Sequence, residues 1–163
     1  MIIKNLRHAD KTQAIELFFN TYSKKHQEYV LPNLEIISML NALKEKGYKL
    51  GIFTGKSSKS LEISLHSLDL EDLFDCKLTG DDVTKPKPHP EGIRKVLNLL
   101  GSNSDETIFL GDSDADIISG KQAGVYTIGV HWLPNIQTAQ FSVQPDIVFE
   151  DISEFLNYFP DSI

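Results

Sequence analysis

The sequence predicts an α/β fold of three layers, in which helices cover both faces of a Rossmann-like parallel sheet. Segments with helical spacing of apolar residues alternate with short strand-like segments along most of the chain, which is the order that parallel sheets with crossover helices produce. The strand-like segments are continuous apolar runs, as expected of strands buried on both faces. With 163 residues, 40% of them hydrophobic, the chain is long enough to bury one core.

The N-terminal part is predicted to be helical. Apolar residues recur there at three- and four-residue steps: Ile15, Phe18, Phe19, Tyr22 and Tyr29. This period predicts an amphipathic helix, or two, over residues 9–30, and packing on a core explains the aromatic residues better than a substrate pocket does. Asn33 is the predicted cap of a second helix that runs to Lys46 and ends at Gly47.

The remaining elements alternate as the fold class requires. Residues 48–54 predict a buried strand, Leu61, Leu65 and Leu68 mark a helix, and residues 74–79 predict a weaker strand. A helix then ends at Gly101, and another ends at Gly124. Further strands are predicted over 107–111, 125–130 and 146–149, and a closing helix over 152–158.

Composition limits the classes of partner. The net charge is −7 and the 16 Lys and Arg residues form no dense run, which disfavours nucleic acid but not a small phosphorylated ligand. No apolar run approaches the length of a membrane span, and nothing near Met1 resembles a signal peptide. Cys76 is the single cysteine, so a reducing compartment is natural and cytoplasm is the expected location.

An acidic run follows the predicted strand 107–111. Asp112, Asp114 and Asp116 follow Gly111 at two-residue spacing, at a strand end where open α/β sheets bind ligands. Clustered carboxylates there suit a hard cation such as Mg2+. The alternative is local, because Asp112 or Ser113 could simply cap the following helix. On local evidence alone the two interpretations have even odds.

Two further loops carry candidate phosphate-binding groups. Thr54, Gly55 and Ser57 follow a strand and lead into a helix, where a hydroxyl and outward amides suit an anion; a strand-to-helix turn capped by Ser57 explains them equally well. Three prolines between residues 86 and 90 stiffen the second loop, so Lys85 or Lys87 could be held over a site. The alternative is a solvated linker that starts a helix.

Three segments in this order resemble the haloacid dehalogenase-like hydrolases, in the phosphoglycolate phosphatase and beta-phosphoglucomutase branch. The segments are Gly-Ile-Phe-Thr-Gly-Lys at 51–56, Lys-Pro-His-Pro-Glu-Gly at 87–92 and Gly-Asp-Ser-Asp-Ala-Asp at 111–116. The resemblance covers nearly all of residues 31–158. It implies that residues 31–163 form the α/β core, without its first strand, and that residues 1–30 are an incomplete remnant of the helical cap.

The resemblance also implies roles for the candidate residues. Thr54 and Gly55 would donate hydrogen bonds to a substrate phosphoryl group, and Lys87, preferred to Lys85 because it begins the Lys-Pro-x-Pro unit, would neutralise its charge. Asp112 would bind Mg2+, and Asp116 would support the metal shell or Lys87. The family activity is Mg-dependent hydrolysis of phosphomonoesters. This agrees with the chemistry of phosphoryl transfer, which depends on positioning and charge neutralisation.

One part of the family pattern is missing from this sequence. Family members begin with an apolar strand ending in Asp-x-Asp-Gly-Thr, whose first aspartate attacks phosphorus, and no such motif occurs here. The expectation is therefore a chain that starts partway through the family plan and is inactive as written. The gap is expected to be closed by direct pairing of the strands at 48–54 and 107–111, or by a partner chain. A non-catalytic binding module, a homodimer and a subunit completed by another chain remain alternatives.

Overall fold

A computed structural model describes residues 8–133 and 137–158 of the chain. Its helices are α1 (His8–Tyr29), α2 (Leu34–Glu45), α3 (Ser58–Ser67), α4 (Glu91–Leu100), α5 (Asp114–Ala123) and α6 (Ile152–Tyr158). Its strands are β1 (Gly51–Phe53), β2 (Cys76–Leu78), β3 (Ile108–Gly111), β4 (Tyr126–Val130) and β5 (Ile147–Phe149). Short 3-10 helices span Gly80–Asp82 and Ser104–Glu106. The predicted order of helices and strands is confirmed.

Local signals in the sequence set most helix boundaries. The Asn33 side chain accepts hydrogen bonds from the amides of Glu35 and Ile36, as predicted for the cap of α2. Gly101 and Gly124 follow α4 and α5 with φ of 62° and 80°, a left-handed conformation that side chains with a Cβ disfavour. These ends form where the sequence placed them because the signals act within one helical turn.

All strand pairs are parallel, and the architecture has three layers. Helices α4 and α5 pack on one face, where α4 contacts β1 and β2 while α5 contacts β3 and β4. On the other face, α2 and α6 contribute to a core that also contains residues of β4 and β5. Its buried members are Met39, Ile128, Val130, Phe149, Ile152 and Phe155. The predicted three-layer fold class is confirmed.

The strands form two separate sheets, with the order β1-β2 in one and β3-β4-β5 in the other. The expectation that the segments 48–54 and 107–111 pair directly is wrong. The carbonyl of Phe53, at the end of β1, accepts a hydrogen bond from the Lys87 ammonium at 3.5 Å and not from an amide of β3. The Lys87 side chain thus occupies the hydrogen-bonding site on Phe53 that direct pairing of β1 with β3 would use.

Helix α1 is continuous, but its aromatic stripe is not a core stripe. The helix packs on α3, and Ile15, Phe18 and Tyr29 are 41%, 42% and 70% exposed. The expectation that these side chains are core residues is therefore wrong, because one short helix cannot cover a helix of this length. Residues 1–7 of the predicted segment 1–30 lie outside the described residues. Within 8–133 and 137–158, no helix has the length and hydropathy of a membrane span.

Candidate functional site

The predicted site residues meet where β1 and β3 end. Thr54 and Gly55 follow β1 directly, and Asp112 follows β3. Lys87 reaches both strand ends, because its Nζ lies 2.6 Å from Oδ1 of Asp116 and 3.5 Å from the carbonyl oxygen of Phe53. One ammonium thus connects the two sheets at the edge where parallel α/β sheets place their ligands.

The pair of Lys87 and Asp116 is mostly shielded from water. The two side chains are 19% and 10% exposed, and the ammonium also lies 5.0 Å from the centre of the Phe53 ring. A charge pair in this setting is screened far less than one at the surface. Lys85, the alternative in the same loop, has an exposed side chain. The structure therefore brings Lys87, and not Lys85, to the strand ends.

Asp116 is held in place by the start of α5. Ser113 is the N-cap of this helix, and its hydroxyl lies 2.5 Å from Oδ2 of Asp116. Gly111 makes this approach feasible, because a Cβ on it would lie 2.3 Å from the Cβ of Asp116. The capping interpretation of the acidic run is thus correct for Ser113. Capping and a functional site are compatible here, because the capping residue also holds the Asp116 carboxylate in its contact with Lys87.

The other two acids of the run contact the loop before β5. Oδ2 of Asp112 accepts the amide of Gln137 at 3.3 Å, and Oδ1 of Asp114 accepts the amide of Ser142 at 2.8 Å. Sequence reasoning did not find this loop, because no pattern in residues 137–142 indicates which strand end they cover. Asp114 is directed at the loop and is not an obvious ligand for a cation.

The carboxylates at the strand ends are compatible with Mg2+, but they are too few to fill its coordination shell alone. In the described parts of the chain, no group of three or more His, Cys, Asp or Glu side chains is arranged to hold a metal ion. Both oxygens of Asp116 already accept hydrogen bonds from Lys87 and Ser113, whereas within the described residues only Oδ2 of Asp112 accepts a hydrogen bond, from the amide of Gln137. Mg2+ keeps several waters and is bound through one or two carboxylates plus substrate phosphate. Asp112 therefore fits direct coordination, and Asp116 fits a supporting role.

The loop after β1 is fixed by its contacts with the loop after β2. The amide of Gly80 donates to the carbonyl of Lys56 at 2.9 Å, and the amide of Ser58 donates to Asp81 at 2.8 Å. Oγ1 of Thr54 accepts the amide of Lys56 at 3.3 Å, so its own proton remains available to a ligand. Ser57 caps α3, which agrees with the interpretation of this segment as a capped strand-to-helix turn. The result is a rigid turn with a hydroxyl and a helix N-terminus beside the strand end.

Glu91 anchors the proline loop that carries Lys87. Its carboxylate accepts hydrogen bonds from the amide and hydroxyl of Thr84, at 3.0 and 2.7 Å, and from the amide of Lys85 at 3.0 Å. Lys95 lies 2.9 Å from the same carboxylate. The contact with Lys95 and the bonds from Thr84 lower the pKa of Glu91 to about 2. The stiffness predicted from the prolines is thus reinforced by a carboxylate.

A polar cluster between α1 and α3 escaped sequence reasoning. Oγ of Ser64 lies 2.9 Å from the Lys56 ammonium and 3.2 Å from the Tyr22 hydroxyl. His26 lies beside them, 7% exposed, and its Nδ1 has no hydrogen-bond partner among residues 8–133 and 137–158. Burial, and secondarily the charge of Lys56, lowers the pKa of His26. Helical spacing identified Tyr22 as apolar, but only the docking of two helices brings these polar groups together.

Three other polar or aromatic residues near the strand ends are packed against neighbours. His131 stacks on Phe141 at 5.2 Å between ring centres, and Trp132 meets Phe155 edge-on at 5.6 Å. His89 accepts the amide of Glu91 through Nδ1 at 3.2 Å. These ring contacts give His131 and Trp132 a packing role.

Comparison with known proteins decides the family. The sequence profile of the haloacid dehalogenase-like hydrolases matches residues 1–130. The chain belongs to the haloacid dehalogenase-like hydrolase family. The fold agrees, because the α/β fold of this chain, with its parallel sheets, matches the Rossmann-type fold of that family.

Relatives within the haloacid dehalogenase-like hydrolases are named as phosphatases or as a phosphoglucomutase. The chain is 32% identical over 149 residues to the pyrophosphatase PpaX of Bacillus mycoides, covering 91% of this chain and 69% of that protein. A predicted phosphoglycolate phosphatase from Haemophilus somnus superposes with a TM-score of 0.76 and 26% identity, covering 95% of this chain and 69% of the other. A candidate beta-phosphoglucomutase from Thermotoga maritima gives 0.70 and 28%, covering 77% of this chain and 60% of the other.

Proposed function

We propose that this chain binds the phosphoryl group of a phosphorylated small molecule, together with Mg2+, at the edge where β1 and β3 end. The observation that carries the proposal is the position of Lys87, whose shielded ammonium reaches the last residue of β1 and the carboxylate of Asp116. Phosphoryl groups spread negative charge over several oxygens, and a preorganised cation with nearby donors is what stabilises that charge.

Each site residue has a role that its contacts support. The Thr54 hydroxyl and the Gly55 amide donate to phosphoryl oxygens, while Lys87 neutralises the charge. Asp112 contributes an oxygen to Mg2+, and Asp116 keeps Lys87 aimed at the ligand through the 2.6 Å contact. Bound Mg2+ would supply additional positive charge against the phosphoryl oxygens. The assignment rests on donors that are already fixed before a ligand arrives.

The same contacts favour binding over turnover in this polypeptide. The family activity is Mg-dependent hydrolysis of phosphomonoesters through a carboxylate nucleophile. Within the described residues, Lys87 pairs with one carboxylate, that of Asp116, and Ser113 holds its other oxygen. Neither Asp112 nor Asp116 is free to attack phosphorus while it serves the metal or Lys87. Covalent catalysis without its nucleophile is slower by several powers of ten.

Calorimetric titration tests the binding site. The ligands are inorganic phosphate, pyrophosphate and 2-phosphoglycolate, the last two chosen from the names of the relatives, each with and without Mg2+. We expect Mg-dependent binding that Lys87→Met and Asp112→Asn each weaken at least about tenfold. Lys85→Met is the matched control and leaves affinity unchanged, because its side chain is exposed. Absence of binding to all three ligands would refute the site.

Hydrolysis of p-nitrophenyl phosphate tests the proposed lack of turnover. The expected rate with Mg2+ is indistinguishable from that of the Asp112→Asn variant. A rate far above background that disappears in Asp112→Asn would contradict the proposal and would restore the family activity to this polypeptide.

A second candidate function is that of a subunit completed by another chain. The observation that favours it is the division of the strands into two sheets. In this arrangement the phosphate-binding groups remain as assigned, but a partner contributes the missing contacts between β1 and β3. Pairing with a second copy of the chain is the related arrangement, and light scattering separates it from a monomer.

A further inference from the structure

We propose that Thr138, in the loop before β5, is a positioning residue for Asp112, the carboxylate that contributes an oxygen to Mg2+ in the proposed function. Thr138 acts through the backbone of the turn that carries Asp112, and not through contact with the cation or the phosphoryl group. The inference rests on the proposed function and deepens it, because it assigns a role at the site to a residue outside the three ordered motifs.

The turn that carries Asp112 joins the end of β3 to the start of α5. Asp112 follows Gly111, the last residue of β3, and Asp114 is the first residue of α5. The first four amides of a helix have no acceptor within the helix, so their partners come from elsewhere. The Ser113 hydroxyl accepts the amide of Asp116. The amide of Asp114 depends on a group outside α5.

Thr138 supplies that group and binds the turn at two points. Its hydroxyl oxygen accepts the amide of Asp114 at 3.3 Å, and its own amide donates to the carbonyl of Asp112 at 3.1 Å. Thr138 is half-buried, whereas its neighbours Gln137 and Ala139 are exposed. The Thr138 side chain is therefore turned towards the acidic run, and its two contacts fix the backbone there.

The amide of Gln137 extends this hold to the carboxylate itself. It donates to Oδ2 of Asp112 at 3.3 Å, so the carboxylate is oriented before any ligand arrives. Groups that hydrogen-bond to a metal-binding carboxylate tune its metal affinity, and their loss typically weakens metal binding by about 10- to 100-fold. Because Gln137 directly precedes Thr138, the position of its amide depends on the two contacts that Thr138 makes with the turn.

The loop is itself anchored to the sheet, so it can hold the turn in place. The Phe141 side chain is buried, and its ring fills the space beside Gly129, where an added Cβ would lie 2.6 Å from the ring. Gly129 of β4 is the partner of Gly111 in the parallel register. The amide of Ser142 also donates to Oδ1 of Asp114 at 2.8 Å. The loop is thus fixed against the same strand end whose turn it contacts.

Binding of Mn2+ alone, measured from the electron paramagnetic resonance signal of the free ion, tests the role of Thr138. Mn2+ prefers the same oxygen ligands as Mg2+, and phosphate is left out. Thr138→Val keeps the shape of the side chain but removes the hydroxyl, and we expect it to weaken Mn2+ binding about tenfold. Thr138→Ser keeps the hydroxyl and should bind Mn2+ within about twofold of the unchanged chain.

The matched control is Thr107→Val. It removes a hydroxyl that donates to the carbonyl of Asn103 at 2.7 Å, beside the opposite end of β3, and should leave Mn2+ affinity unchanged.

Amide hydrogen exchange measured by NMR gives a second readout, which needs no metal. Thr138→Val should speed exchange of the Asp114 amide about tenfold, because that amide loses its acceptor. The Asp116 amide, which bonds to the cap of α5, should change much less and shows that the helix remains folded.

The outcomes separate this inference from the proposed function. Equal Mn2+ affinity of Thr138→Val and the unchanged chain would overturn the role of Thr138 and leave the metal site in place. Equal losses in Thr138→Val and Thr138→Ser would also overturn it, because the hydroxyl would not be the cause. Unchanged exchange of the Asp114 amide in Thr138→Val would refute the contact on which the role depends. If the unchanged chain binds no Mn2+, the metal site of the proposed function is refuted, and the role of Thr138 with it.

Discussion

Removal of the Lys87 ammonium is the most direct test of the geometry at the strand ends. Lys87→Met keeps a side chain of similar length but leaves the Asp116 carboxylate, 10% exposed, without its cation. Breaking a buried pair by removing one partner costs about 3–5 kcal/mol. Ser113 continues to donate to the other oxygen of Asp116. We therefore expect the free energy of unfolding to fall by slightly less than this, about 2–4 kcal/mol.

A double-mutant cycle isolates the pair from the rest of the loop. Lys87→Met, Asp116→Asn and the double variant are unfolded in urea at pH 7 and followed by circular dichroism. The double variant should lose at least about 1.5 kcal/mol less than the sum of the single variants, because the second change removes a group that is already unpaired. Lys85→Met is the control and should change stability by less than about 0.5 kcal/mol. If the double variant loses the full sum of the two single losses in unfolding free energy, the reasoning is refuted, because the two side chains then do not interact.

Three further predictions follow from other contacts in the structure. Gly111→Ala should destabilise the chain by about 1–3 kcal/mol in urea and weaken phosphate binding, because the new Cβ would lie 2.3 Å from the Cβ of Asp116. The control is Gly55→Ala, which should change stability by less than about 0.5 kcal/mol, because a Cβ at Gly55 would meet no atom within 4 Å. Burial lowers the pKa of His26 from 6.5, so His26 takes up its proton in the unfolded chain at a higher pH than in the folded chain. The stability of the chain should therefore decline as pH falls below 6.5. His26→Gln should remove this decline, which is measured as the urea midpoint at each pH. Because Glu91 has a pKa of about 2 against 4.5, its stabilisation is complete above pH 4.5 and is lost as pH falls towards 2; Glu91→Gln should flatten that part of the acid unfolding curve.

Local features of the sequence were enough to predict the elements and their order. Asn33 and Ser57 cap helices, and Gly101 and Gly124 end them, because caps and left-handed residues act within a few positions of the chain. The three ordered motifs also identified the family and the candidate residues at the strand ends. Periodicity, caps and motif order can be read without knowledge of long-range contacts, which explains why the elements, their order and the family could be predicted.

Only the tertiary structure decided which groups meet. Reasoning from the loop alone left Lys85 and Lys87 as alternatives, the resemblance preferred Lys87, and the structure brings the Lys87 ammonium to Asp116. The cluster around His26 arises where two helices dock, and no local pattern indicates such a contact.

The same limit applies to the sheets. Apolar runs predicted strands over 48–54 and 107–111, but not that these strands would belong to two separate sheets within the described residues. A strand's sequence encodes its burial through its own side chains, whereas its neighbour is fixed by the positions of all the elements packed around it. In this protein, therefore, the sequence by itself determined the segments and their chemistry, and tertiary packing determined the charge pair and the division of the described strands into two sheets.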